Sequence, residues 1–183
     1  MPSSAAARAL GAAVLAVALA GCAADEGPLT MADDDVTVCA PHADGATMYF
    51  GMPVTNAGAD AATVTDLSWS QENVDSVEFL IDLEAADLDQ FIGTMRWPTD
   101  EPLGYEEDLL DRAVRAQGAV IPAGSTVDLI VAVSPSSHMW NAEVTDIALA
   151  YDADASYVAD SGMTMVVATE MGCDASMAPE SPA

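Results

Sequence analysis

Period-two alternation of apolar side chains constrains this chain more than any other feature, because strict alternation is the pattern of a strand with one buried face. Met48, Phe50, Met52 and Val54 share one face of MYFGMPVT, and Val77, Phe79, Ile81 and Leu83 share one face of VEFLIDL. Val127, Leu129, Val131 and Val133 repeat the pattern in TVDLIVAVS, as do Ile147, Leu149 and Tyr151 in EVTDIALAY and Met163, Met165 and Val167 in MTMVVAT. Shorter candidates are VTVCA at 36–40 and TVTDLSW at 63–69, where Trp69 is assigned to the core. Asn56-Ala57-Gly58-Ala59-Asp60, Pro122-Ala123-Gly124-Ser125 and Pro135-Ser136-Ser137 punctuate these segments with turn chemistry. About seven strands without alternating helices predict a mainly β fold, a two-layer antiparallel sandwich. A short helical insert is expected over Gly104 to Gln117, where Tyr105, Leu109, Ala113 and Gln117 lie four apart beside Leu110 and Val114. Arg112 and Arg115 would then sit near its C-terminal end, where positive charge suits the helix dipole.

The order of a strand, V-T-N-A-G, a second strand and then I-P-A-G-S-T-V-D-L-I-V-A-V resembles the immunoglobulin-like modules of bacterial envelope lipoproteins. In those modules an N-x-G turn joins two early strands and a P-x-G turn introduces a later one. The resemblance covers about residues 36–173 and implies an immunoglobulin-like sandwich, but no activity, since one sandwich carries many functions.

Ahead of this region, Arg8 precedes twelve small or apolar residues from Ala9 to Ala20. That is too short for a membrane span, which takes about 20, and matches the apolar region of an export signal. The run ends in Leu19-Ala20-Gly21-Cys22, which resembles the lipobox of bacterial lipoproteins. The resemblance implies a signal peptide at 1–21, cleavage before Cys22, and lipidation of Cys22 by diacylglycerol with palmitate-type chains. The partner would be a membrane, held through a lipid anchor outside the cytoplasm. The alternative is an ordinary signal peptide cut near Ala20 or Ala24. Residues 22–35 are expected to form a flexible acidic tether, 36–173 the sandwich domain, and 174–183 a disordered tail.

With 30 acidic side chains against 4 arginines and no lysine, the formal charge is −26, and loss of Arg8 with the leader makes it −27. Nucleic acid is excluded as a direct partner because four scattered arginines cannot form the basic patch that counterion release requires. A hydrophobic content of 51% separates the chain from acidic disordered tails. With Cys22 lipidated, Cys39 and Cys173 remain, and an even pair in an exported chain implies a disulfide across the ends of the domain.

Chemistry-bearing patterns are sparse, and the chain is expected to be non-catalytic and to carry no cofactor. His42 and His138 are the only bases of their kind for a small envelope hydrolase, and no G-x-S-x-G elbow accompanies them. Calcium is tested by Asp152-Ala153-Asp154-Ala155-Ser156, which imitates the opening of an EF-hand loop but has Tyr157 and Met163 where glycine and glutamate belong. Copper is tested by His138-Met139 and by Met163 alternating with Met165, where core packing is the simpler role for the strand methionines. The metal candidates are thus His138, Met139, Asp152 and Asp154. Trp97 and Trp140, in turn-like contexts, are the candidates for contact with an envelope protein or polysaccharide.

Overall fold

The structure is a computed structural model that describes residues 27–31, 35–168 and Cys173. The strands are β1 (Leu29–Thr30), β2 (Thr37–Pro41), β3 (Thr47–Asn56), β4 (Ala62–Glu72), β5 (Val74–Asp82), β6 (Thr94–Trp97), β7 (Val114–Arg115), β8 (Val120–Ile121), β9 (Thr126–Pro135), β10 (Ala142–Asp152), β11 (Ser156–Ser161) and β12 (Thr164–Ala168). The helices are α1 (Ala85–Leu88) and α2 (Tyr105–Arg112). In the first sheet β3, β9 and β5 are central, β1 and β6 flank opposite halves of β3, and β7 flanks β5. The second sheet runs β2, β12, β10, β4, β8, with β11 also against β10.

All seven segments expected as strands are strands, and the two sheets form a sandwich. The inward residues of β3 and β9, Met48 to Val54 and Val127 to Val133, pack against Val144, Ile147, Leu149 and Tyr151 of β10 and Met165 and Val167 of β12. Each fully buried side chain of this size contributes roughly 1.5–3 kcal/mol relative to an exposed one. The turns act as their chemistry dictates. Asn56 is buried, accepts the Gly58 N–H at 3.0 Å and donates to the carbonyls of Asp60 and Ile121, so one amide ties β3 to β8. Gly124 supplies the positive φ of 69° that the turn before β9 requires.

Several expectations are corrected. Among the described residues there are twelve strands rather than about seven, because short edge strands complete both sheets, and β2 runs parallel to β12 where an all-antiparallel fold was expected. The expected helix stops at Arg112: Ala113 is extended, and Val114 and Arg115 pair with Ile81 and Leu80, so an open strand edge overrides the apolar spacing. Leu83 lies outside the core at 37% exposure because the chain turns into α1 after Asp82. Part of the expected tether is folded, since Leu29 and Thr30 pair with Asn56 and Thr55 and Leu29 is buried. The remainder of 22–35 up to residue 26, residues 32–34, the leader with Cys22, and the tail at 174–183 lie outside the described residues.

The sandwich also has a partial third layer. Of residues 84–113, between β5 and β7, β6 joins the first sheet beside β3, while α1, Ile92 and α2 lie over that sheet's outer face, where Leu109 and Met95 pack on Ile130. β9 is therefore buried on both faces from Val127 to Val133. At the ends of the domain, Cys39 and Cys173 form a disulfide with Cα atoms 5.8 Å apart.

Candidate functional site

Two places in this fold carry more than packing. The first is on the side of the sandwich where β4 and β5 diverge from a corner at Asn73, a residue at φ 56°. β8 covers only the Ala62–Thr63 end of β4, and β7 covers only Leu80 and Ile81 of β5. Beyond these short strands the seam between the sheets is open and forms a cleft of about 560 Å³. Trp69 and Phe79 meet inside it with ring centroids 4.9 Å apart, beside Val77. Asp66, Glu78 and Arg115 stand around it, so its polar groups carry both signs. Trp69 was expected in the core; it does pack on Phe79, but it is 39% exposed because β8 ends before reaching it. Its indole N–H donates to Gln71 Oε1 at 2.8 Å, which leaves the ring face as the surface on offer.

The second place is a pair of buried carboxylates beneath the third layer. Asp82 on β5 and Asp128 on β9 are paired in register, and both are fully buried. Arg112, in the last turn of α2, donates through Nε at 3.0 Å and Nη2 at 2.7 Å to Asp82 Oδ2, while the Glu84 N–H donates to Asp82 Oδ1. The Arg112 hydrogen bonds to Asp82, with the charge of that carboxylate, raise the Arg112 pKa above its usual value. Asp128 Oδ2 accepts the Ile92 N–H at 3.0 Å, while Asp128 Oδ1 is buried without a partner. Gly51 permits this approach, since a Cβ there would run into the Ile92 carbonyl and come within 2.8 Å of Asp128 Oδ2.

Burial, assisted by the neighbouring charge of Asp82, raises the Asp128 pKa from 3.8 to about 6, against the opposing backbone hydrogen bonds from Ile92 and Met52. The folded state therefore holds a proton on Asp128 that the unfolded chain releases. That stabilisation is fully present below about pH 3.8 and is lost as pH rises through about 6. At pH 8 the buried charge costs about 3 kcal/mol. Asp128→Asn is expected to raise unfolding free energy at pH 8 by about 2–3 kcal/mol and to change it little at pH 4. Urea titrations at the two pH values check this, and an Asn variant no more stable than the parent at pH 8 would refute it. The pair resembles a proton-sharing catalytic dyad in chemistry, but both carboxylates are closed off from substrate and one is neutralised by Arg112.

The residues singled out in the sequence do not converge on either place. His42 follows β2 with its Nε2 3.2 Å from Asp44 Oδ1, and His138 is exposed in the β9–β10 connection, where Ser137 Oγ accepts the Met139 N–H at 3.0 Å. Met139 and Trp140 are 66% and 64% exposed in that same connection, and Trp97 is half-buried at the end of β6. Asp152 Oδ1 accepts the Ser156 hydroxyl at 2.6 Å and Asp154 Oδ1 accepts that of Tyr157 at 2.9 Å, so both carboxylates serve the β10–β11 turn. Met48, Met52, Met163 and Met165 are buried in the core, and Ser161 Oγ donates to Met52 Sδ. Among the described residues no three His, Cys, Asp or Glu side chains form a group able to hold a metal ion, and no helix is long and apolar enough to cross a membrane.

Neither place was selected by the sequence. Asp82 and Asp128 are two of 30 acids, and their one distinguishing signal is that each ends or interrupts an apolar strand run, as in F-L-I-D and V-D-L-I-V. Trp69 carried a strand signal, but its exposure depends on the length of β8, which no local pattern announces.

No protein-family profile and no curated protein matches the chain. Among solved structures it is similar to the Vibrio cholerae VesB protease, at 15% identity and a TM-score of 0.39, over 78% of this chain and 32% of that one. The chain thus spans about a third of the length of that protein.

Proposed function

We propose that this chain is an exported, lipid-anchored and non-catalytic binding module of the cell envelope. The observation that carries the binding part is the side cleft, where an exposed aromatic face, a concave seam and polar groups of both signs coincide. A partner there would be an envelope protein or a polysaccharide. The non-catalytic part is supported by the burial of the carboxylate pair and by the separate loops of His42 and His138. Export is supported by the Cys39–Cys173 disulfide, a bond that persists in oxidising compartments. Anchoring rests on Leu19-Ala20-Gly21-Cys22, and two acyl chains on Cys22 would hold the chain to a membrane without spanning it.

Cell fractionation tests the anchor directly. The parent chain is expected in the membrane fraction, and Cys22→Ala whose leader has been cut elsewhere is expected in the soluble or secreted fraction. A leader-cleaved Cys22→Ala chain that stays with the membrane would overturn the anchor.

A further inference from the structure

The cleft lies beside an unfinished sheet edge. β8 and the residues just before it bond to the outer edge of β4 as far as Val64, through Val64 N–H to the Ala119 carbonyl and Gly118 N–H to the Val64 carbonyl. Gln117 Nε2 then caps the Thr65 carbonyl. From Asp66 to Glu72, the outer side of β4 carries no strand among the described residues; on the other side six of these seven residues pair with β10, and Trp69 lies at a register shift between Ser68 and Ser70. A row of backbone donors and acceptors without a neighbouring strand is a template for another extended chain. Trp69 and Phe79 sit beside that row, where alternate side chains of an added strand would point.

Charge selects among the chains that could pair there. Asp66, Glu72, Asp75 and Glu78 are all exposed along the two strands that diverge from Asn73, and Arg115 is the cation of the cleft. A second copy of this chain, itself at −26, would bring acid to acid. The same acids favour lysine or arginine, whose side chains also interact with the face of an indole.

Resting on the binding reading above, we infer that the Asp66–Glu72 edge of β4 takes up a basic, extended segment of a partner protein as an added strand continuing β8. The main chain supplies hydrogen bonds, the Trp69–Phe79 cleft takes one alternate side chain, and the surrounding acids take the cations.

Fluorescence anisotropy on the full-length chain in detergent tests this with four probes. These are a labelled heptapeptide alternating lysine with valine, its glutamate–valine counterpart, the lysine peptide N-methylated at alternate residues, and a labelled N-acetylglucosamine trisaccharide. The lysine peptide is expected to bind, and the glutamate peptide is not. Trp69→Ala and backbone N-methylation are each expected to weaken binding at least about tenfold. The N-methyl arm leaves the protein unaltered, so it decides the question even if Trp69→Ala disturbs the fold. Equal binding of the methylated and unmethylated lysine peptides would reduce the effect to loose charge attraction and overturn the inference. Binding of the trisaccharide without the peptide would overturn the added strand but leave a binding module standing. Binding of none of the four would overturn both.

Discussion

Replacing Cys39 and Cys173 by serine is expected to lower the unfolding free energy by about 5 kcal/mol, because the bond closes a loop spanning 134 positions and the denatured chain loses the most entropy when its ends are tied. That is a third or more of the total stability of an ordinary domain. The native state adds a local reason. Among the described residues β2 is an edge strand that pairs with β12 alone, in the parallel sense, over five residue pairs from Thr37 with Thr164 to Pro41 with Ala168. Without the bond the strand remains attached by this single ladder. Hydrogen exchange in 37–41 is expected to rise toward that of a frayed end before the central β3, β9 and β10 lose protection. Urea unfolding with and without reductant measures the global effect. Equal midpoints and equal slopes in the two conditions would show the bond to be energetically idle.

The parts of this fold that were readable in advance are those in which one face of a strand is buried and the other is wet. β3 comes nearest to this: Met48, Phe50, Met52 and Val54 all point inward as their spacing dictates, and on its outer side only Tyr49 and Gly51 meet the layer above while Pro53 is exposed. β9 has the same inward set, but its outer residues Ile130 and Ala132 are also buried, because a layer built around α1 and α2 covers this face of the sheet. Two-residue strands such as β7 and β8 have no period to read; they exist because β5 and β4 present edges that the passing chain can satisfy. The same edge demand ended α2 before Ala113 against its helical spacing. Trp69 shows the converse, since its strand position was legible while its exposure depended on where a neighbouring strand stops. The acid pair was hidden for a different reason. Thirty acids supply many pairs in sequence, and only register sets Asp82 opposite Asp128.

That register makes Arg112 the residue whose loss from the third layer should be felt most. Arg112→Met is expected to destabilise the domain by about 3–5 kcal/mol at pH 8, the range for breaking a buried ion pair from one side. Asp82 would keep the Glu84 N–H on Oδ1 but lose both guanidinium bonds on Oδ2, and it would still lie opposite Asp128. The sign of the pH dependence follows from the same geometry. With the cation gone, two buried carboxylates repel, so Asp128 holds its proton more tightly, and the folded state gains protons relative to the unfolded chain. The deficit should therefore shrink as pH falls below about 6, where Asp128 is already protonated in the parent. Replacing both partners distinguishes this from lost packing on α2. Arg112→Met combined with Asp82→Leu should recover most of the loss, because an apolar pair of similar volume leaves no uncompensated charge at position 82 and leaves Asp128 as it was or better placed, without a neighbouring carboxylate. If the double variant is as unstable as Arg112→Met alone at both pH values, Arg112 contributes through the contacts of its alkyl chain and its bond to Gln90, and the charge of Asp82 is irrelevant to holding the layer down.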